Sequence, residues 1–594
     1  MRVYVPEAEV DFGYDRVFGI ANRASFEAKT LSKAIGSTYL HVAGRIVDNS
    51  GVIDLLNRWW EEDHADRGPG GRPRFVDDRQ ALVLVIAHAL ARLPLTYLEL
   101  AQTVEKRLTW KQAKKYGLPF DQSASWYDRL YRTMRNILRV LDPYPYPYDD
   151  ERLRRTGDPL AKIGRRRILT EDELAQLRAW RDPSVQEQRQ QRIDEFCHAL
   201  VSSSIKMADH YTQHWRGNTA LDATYVKIRG TKGVRDAPTG SRPRCVDVDA
   251  GWYVRDTTDH AAPAGKARSG KHKREYGYEL EVVSMTRNHP DDDPDSLPYP
   301  LLMVAVGFHR PGEIRRDPSR MYTALAADGH PPAHVAVDRA YSYLQTQNFA
   351  GPIRALGHEL VIDYQKTDLG LQTHYKDFIL VDGTWYLNVM PKDLVTATRD
   401  RIEGRIDDEE LEDKLQARTK YQLKRKGRPD ADGYQRFLLP DPAGYIPADV
   451  ITGEIVAYPA SKTVTIPAIV DKNGADKHRQ LYPYKSAAWE KWYGLRATVE
   501  HQNGFIKAGT VSDLANEDLR QARGYAFQYL AATVLVVSSN VRKIRTFLNG
   551  LAGPRNPKSP ERPLKRAARR TSRSTGPRLR DSLDRRTTRY PSRT

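Results

Sequence analysis

Between positions 493 and 507 the chain reads YGLRATVEHQNGFIK, so Tyr493, Arg496, Glu500 and Lys507 fall at offsets of zero, three, seven and fourteen. On an α-helix turning about 100° per residue these offsets lie near 0°, 300°, 340° and 320°, within an arc of roughly 60°. One carboxylate is then flanked by two cations and a phenol. Leu495, Val499 and Ile506 lie about a third of a turn away and form an apolar stripe that can dock on a core. As a solvated pair, Arg496 and Glu500 contribute only about 0.2–0.5 kcal/mol. The face suits a different role, in which Glu500 holds a divalent cation while Arg496, Lys507 and the Tyr493 hydroxyl grip the phosphates of a nucleic-acid backbone. Such a role demands partner carboxylates from other elements.

Acids at the ends of buried strands are the rigid candidates, and two fit. Asp222 lies in TALDATYVKIRG, a β-branched run with polar residues interleaved, closed by a Gly and Lys turn signal. Asp338 closes HVAVD, where Val335, Ala336 and Val337 form a short apolar run, and Ser342 is placed to cap a following helix. A lone Asp is most often a turn or cap residue. Three acids in the order strand, strand, helix are what single these out.

With these residues in hand, the chain resembles the bacterial insertion-sequence DDE transposases. YGLRATVEHQNGFIK matches their Y-x2-R-x3-E-x6-K signature at all four positions, and LDATYVK and VDRAYSY are similar to their two aspartate motifs. The resemblance covers roughly residues 215–548. It implies a ribonuclease-H-like fold in which Asp222, Asp338 and Glu500 are the catalytic, metal-binding triad and Tyr493, Arg496 and Lys507 contact transposon-end DNA. It further implies cleavage of double-stranded DNA at the element's ends, joining of the freed 3′-hydroxyl to target DNA, and a dimer or larger synaptic assembly. Hard carboxylate oxygens suit two Mg²⁺ ions, with Mn²⁺ as a substitute. No small-molecule cofactor is expected. A noncatalytic DNA-binding regulator and a nuclease without strand transfer are the alternative readings.

The elements needed to position the triad follow in order. The expected fold class is α/β: a mixed five-stranded sheet with flanking helices, interrupted by a β-rich insertion and preceded by an all-α helix-turn-helix-like region. After Asp222, REYGYELEVVSMT and LLMVAVGFH read as strands two and three, and Ser319–Ala327 as a helix. A second helix is expected from Ser342 to Leu356, then HELVIDY as strand five. Two insertions depart from a minimal core. The first, Gly230 to about Lys273, holds Asp236, Asp247, Asp249, Asp256 and Asp259, which compete with Asp222 but lie in turn-rich sequence. The second, 364–490, is too long for a simple connection and reads as an inserted subdomain.

The remaining boundaries come from composition. Residues 1–71 have no clear role, 72–142 are expected to form a helical DNA-binding domain whose last helix exposes Arg129, Arg132 and Arg135, 143–168 are a Pro-rich linker, and 169–214 are a helical connection. The core then runs over 215–363 and 491–548. Residues 549–594 form a basic tail expected to be disordered, since 551–594 hold 14 Lys plus Arg against three acids. The whole chain carries 94 Lys plus Arg against 76 Asp plus Glu, a formal charge of +18, which suits a nucleic-acid partner bound in a salt-sensitive way. Cys197 and Cys245 make neither a zinc motif nor a disulfide framework. The apolar run at 525–541 is broken by Gln528, Thr533 and paired serines and reads as a core helix, not a membrane span. A cytoplasmic, nucleoid-associated location is expected. The acidic run at 291–295 reads as a solvated turn.

Overall fold

The computed structural model describes residues 7–551 except 22, 24–33, 66–73, 121–124, 165–167, 231–246, 256–272, 315–316, 431, 442–450, 452–460 and 469–476. The expectations for the basic tail from 552 onward and for Asp236, Asp256, Asp259 and Cys245 lie outside the described residues.

The protein is a mixed α/β structure around a six-stranded sheet. Strand β1 (Thr219–Lys227) is its pivot, running antiparallel to β3 (Lys273–Met285) from Thr219 opposite Met285 to Lys227 opposite Gly277. A Cβ at Gly277 would stand 2.1 Å from the Val226 carbonyl oxygen, so only glycine admits this close pairing. On its other edge β1 runs parallel to β5 (His334–Val337), and β5 runs parallel to β6 (Glu359–Ile362). β4 (Met303–His309), buried along its whole length, pairs antiparallel with β3. A sixth strand, β2 (Gly251–Arg255), also pairs with β3 and lies inside the region expected to be an insertion. The five-strand expectation is corrected by one.

The expected 342–356 helix is broken up. Short 3₁₀ turns at Arg339–Tyr343 and Thr346–Asn348 precede a single helical segment, Ala350–Ala355. Pro352 explains the limit, because its ring excludes a helical carbonyl four residues upstream. Ser342 caps nothing there; its hydroxyl donates to the Arg339 carbonyl at 2.7 Å.

The helical block has no core of its own. Helix Asp78–Ala91 is started by an Asp77–Gln80 capping box and is apolar on every side, so it must be surrounded. It packs on the long helix Tyr525–Leu551, which also packs on β4 and on helix Pro183–Lys206. One continuous buried cluster runs from Val10 through the sheet to Leu548. The Pro-rich stretch expected to be an extended linker folds into short turns and the helix Glu151–Thr156, and Tyr146, Ile163, Leu169 and Leu177 form a small core beside it. Of the three arginines expected outward on helix Trp126–Leu141, Arg135 is paired with Asp149 at 2.7 Å and Arg129 lies over Phe75 and Trp126; Arg132 is exposed. Residues 371–466 hold two three-stranded antiparallel sheets that share one core, around Phe378, Trp385 and Phe437, while a second core gathers Ile379, Tyr386 and Met390 with Leu394 and Val395. Among the described residues no helix is long and apolar enough to cross a membrane.

Candidate functional site

Register brings the first two acids together. Leu221 of β1 pairs with Val337 of β5, so the next residues, Asp222 and Asp338, stand level on neighbouring parallel strands. Asp338 is the first residue beyond β5, and its carboxylate accepts the Arg339 backbone N–H. The third acid arrives on the helix Ala497–Lys507, which packs on β1 and β3 through the buried Val499 and Ile506. Gln502 Nε2 donates to the Leu301 carbonyl at 2.8 Å and fixes the helix against the segment leading into β4.

Three residues spaced i, i+4 and i+7 on that approach make the contacts. Arg496 reaches Asp338 with Nη1 at 3.6 Å and Glu500 Oε1 with Nη2 at 2.6 Å. Asn503 Nδ2 donates to Asp222 Oδ2 at 3.2 Å. Asp222 is half-buried, and burial, opposed by the Arg496 guanidinium and reinforced by the carboxylates of Glu281, Asp338 and Glu500, pushes its carboxyl up to about 7. Asp222 therefore feels both other expected acids, with Arg496 as the cation among them.

The signature segment is not one helix. Tyr493 ends the helix Ala487–Tyr493, a 3₁₀ turn occupies Gly494–Arg496, and the second helix begins at Ala497. Gly494, a poor helix former, lies at the break. Tyr493 still faces the site: its ring stacks on Trp489 at 4.5 Å, with the Arg496 guanidinium 5.6 Å from its centroid. Burial, with the nearby charge of Asp363, raises its phenol above the ordinary range. Lys507 is half-buried in the last turn of the second helix.

The competing acids among the described residues are committed elsewhere. Asp247 accepts from the Tyr278 hydroxyl and the Gly524 N–H at 3.1 and 3.0 Å. Asp249 forms a buried ion pair with Arg181 at 2.5 Å. In the exposed turn at 291–295, Asp291 pairs with Lys491 at 3.1 Å.

Sequence reasoning missed Asn503 and four further participants, Asp363, Glu281, Tyr341 and His309. Asp363 follows β6 one strand further out, level with Asp338 because Val337 pairs with Ile362; its Oδ1 accepts from the Tyr484 hydroxyl at 2.7 Å. The apolar run LVI ending in Asp repeats the pattern that found Asp338. Glu281, fully buried on β3, accepts from His309 Nε2 at 3.0 Å and from the Tyr341 hydroxyl. His309 Nδ1 donates to the Arg310 carbonyl at 2.7 Å, so both ring nitrogens carry protons. Burial disfavours that charge, but the bond to Glu281, with Asp317 and Glu279 nearby, holds the imidazolium up to about 10. Glu279 and Glu281 in EYGYELEVV were the signal, two acids on one face of an apolar strand.

By chemistry the oxygen donors suit a hard divalent cation: the charge of Arg496 does not offset the burial of Asp222, and the buried Asn503 Oδ1 beside it has no hydrogen-bond partner. With Arg496 between them the acids stand apart, and among the described residues no three of His, Cys, Asp and Glu are close enough together to hold a metal ion. The chain matches no protein-family model, and neither a search of characterised proteins nor one of solved structures finds a match.

Proposed function

We propose that the chain is a DDE transposase that cuts double-stranded DNA at its own element's ends and joins the freed 3′ ends to target DNA, on a ribonuclease-H-like core. The observation that carries this reading is that acids from three elements surround one guanidinium, Arg496. Asp222 and Asp338 are level on adjacent parallel strands, and Glu500 is tied to Asp338 through Arg496. The sheet order supports it, since β1, β3 and β4 are antiparallel and β5 and β6 then lie parallel to β1. The net charge of +18 supports a polyanionic partner.

Two Mg²⁺ or Mn²⁺ ions held by Asp222, Asp338 and Glu500 would supply activation of a water or 3′-hydroxyl and offset charge on the departing oxygen. The chain's own residues hold and orient. Asn503 fixes the rotamer of Asp222, and Arg496, once its carboxylates are engaged elsewhere, turns a guanidinium fork toward phosphate oxygens. Tyr493 and Lys507 extend that grip along the strand. Two ends require two such sites, hence a dimer or larger assembly on DNA.

Purified protein, Mg²⁺ and DNA flanking its own gene provide the test, beside Asp222→Asn, Asp338→Asn and Glu500→Gln. Wild type is expected to cut and join. Each variant should lose more than the roughly 10–100-fold that follows loss of a mere outer-shell partner of a metal. Cleavage by all three variants at the wild-type rate would refute the site. Cleavage without joining would favour the nuclease, and binding without cleavage the regulator.

A further inference from the structure

Between the helical block and the loop after the signature helix lies a cleft of about 990 Å³. One wall is aromatic. Tyr127 and Tyr131, a turn apart on helix Trp126–Leu141, hold their rings parallel within 4° at 6.3 Å, and Tyr97 sets its edge on Tyr131 at 5.4 Å. Tyr127 and Tyr148 leave 43% and 39% of their surfaces open, an unusual exposure for rings lining a cavity.

The other wall is cationic. Arg139 comes from the same helix as the two stacked tyrosines, and Arg189 from helix Pro183–Lys206. Among the described residues neither has a carboxylate within 4.0 Å. Arg189 has one long bond, 3.5 Å to the Asp142 carbonyl. Burial lowers its pKa, opposed by the nearby charges of Asp63 and Asp142 and helped by those of Arg192 and Arg139. Most acids in the cleft are already engaged. Glu99 pairs with Arg107 at 2.9 Å, Asp149 with Arg135 at 2.7 Å and Asp518 with Arg229 at 3.4 Å. Asp142 accepts from the Tyr144 N–H at 3.0 Å, and Asp128 is exposed.

An anion that also carries a flat ring matches both walls. We propose that this cleft binds nucleotide units whose bases are unpaired, with the ring against Tyr127 or Tyr148 and the phosphate between Arg139 and Arg189. Bases inside a duplex are stacked on one another and cannot offer a face to a tyrosine, so the ligand is an unpaired stretch of strand or a free nucleotide. The cleft binds whether or not the three acids cut.

Fluorescence anisotropy tests this with a labelled single strand, a blunt duplex of the same sequence, and thymidine monophosphate as competitor, all without divalent cation. A failure of the catalytic reading therefore leaves the result intact. Because Arg189 is desolvated and its loss threatens folding, Tyr127→Ser and Arg139→Gln are the variants, with melting temperatures matched to wild type. Each is expected to weaken single-strand binding by about 5- to 100-fold, the range for a lost stacking platform, while duplex affinity stays unchanged. For Arg139→Gln the slope of log affinity against log salt should also fall by about one phosphate contact. Displacement by the mononucleotide would assign the cleft to free nucleotides, and retention of the strand would assign it to unpaired DNA. Variants that bind single strand as wild type does, or that lose duplex and single strand equally, would overturn the proposal.

Discussion

Arg496 is the residue on which the two states of the site turn. In the protein alone its guanidinium bridges Asp338 and Glu500, and its charge opposes the burial that raises the Asp222 pKa to about 7. A residue so engaged contributes to phosphate binding only after its carboxylates find another cation. DNA binding by wild type is therefore expected to strengthen when divalent cation is added. Arg496→Ala should bind DNA more weakly, with a salt slope smaller by about one and little response to the cation. Filter binding across a salt series reads both. An unchanged slope would confine Arg496 to a structural ion pair. These side chains were legible in the sequence because each sits in a local pattern: Glu500 on a helical period, Asp222 and Asp338 after apolar strand runs. Glu281 was not, since a buried acid in a strand looks like ordinary polar alternation until its partner His309 is known. That partner lies 28 residues away on the neighbouring strand.

At the scale of elements, the turn after Asp338 is clamped to β3. Tyr341, three residues beyond the acid, donates to Glu281, and Glu281 is bonded in turn to His309 on β4. Three elements are thereby held in the register that levels Asp222 with Asp338. Tyr341→Phe removes one bond to a buried carboxylate and should cost about 1.5–3 kcal/mol. Replacing Glu281 by Leu strands a buried imidazolium and should cost about 3–5 kcal/mol. The pH dependence has a definite sign. The His309 pKa is raised from 6.5 to about 10, so its contribution is complete below 6.5 and disappears as pH rises toward 10. Denaturant midpoints between neutral and alkaline pH measure it, and an alkaline limb of equal steepness in wild type and His309→Gln would contradict the clamp. The strands were readable from alternation, and the helix of the signature from its period. Its interruption at Gly494 and the fragmentation after Asp338 were not, because a single glycine or proline shifts a boundary without disturbing the surrounding pattern.

For the molecule as a whole, the outcome least visible in the sequence is the shared core. The helical block read as a separate module because a Pro-rich stretch follows it. What joins it to the sheet is the helix Tyr525–Leu551, hundreds of residues downstream, and local patterns carry no information about such pairings. The junction has a titratable group at its centre. His88 is fully buried, bonded to the Pro94 carbonyl at 3.0 Å and to the Thr103 hydroxyl at 2.8 Å, and burial lowers its pKa from 6.5 to about 4. The unfolded chain takes up a proton near 6.5 and the folded chain only near 4, so stability present above 6.5 falls away between those values, by roughly 3 kcal/mol for this group. Because the core is continuous, acid unfolding is expected to be one transition seen alike by tryptophan fluorescence and circular dichroism. His88→Gln should flatten its pH dependence over that interval. Two separated transitions, one for the helical block and one for the sheet, would contradict a common core.

The same long helix governs how the protein comes into being on the ribosome. Ser538 bonds the Ala89 carbonyl across 449 residues of intervening chain, so the earliest helices to emerge meet their final neighbour only when synthesis is almost done. At about 5–20 residues per second, the delay is on the order of tens of seconds. Throughout it the face of Asp78–Ala91 that Tyr525–Leu551 will cover stays open, and the nascent polypeptide is a natural client for the chaperones that shield such surfaces during translation.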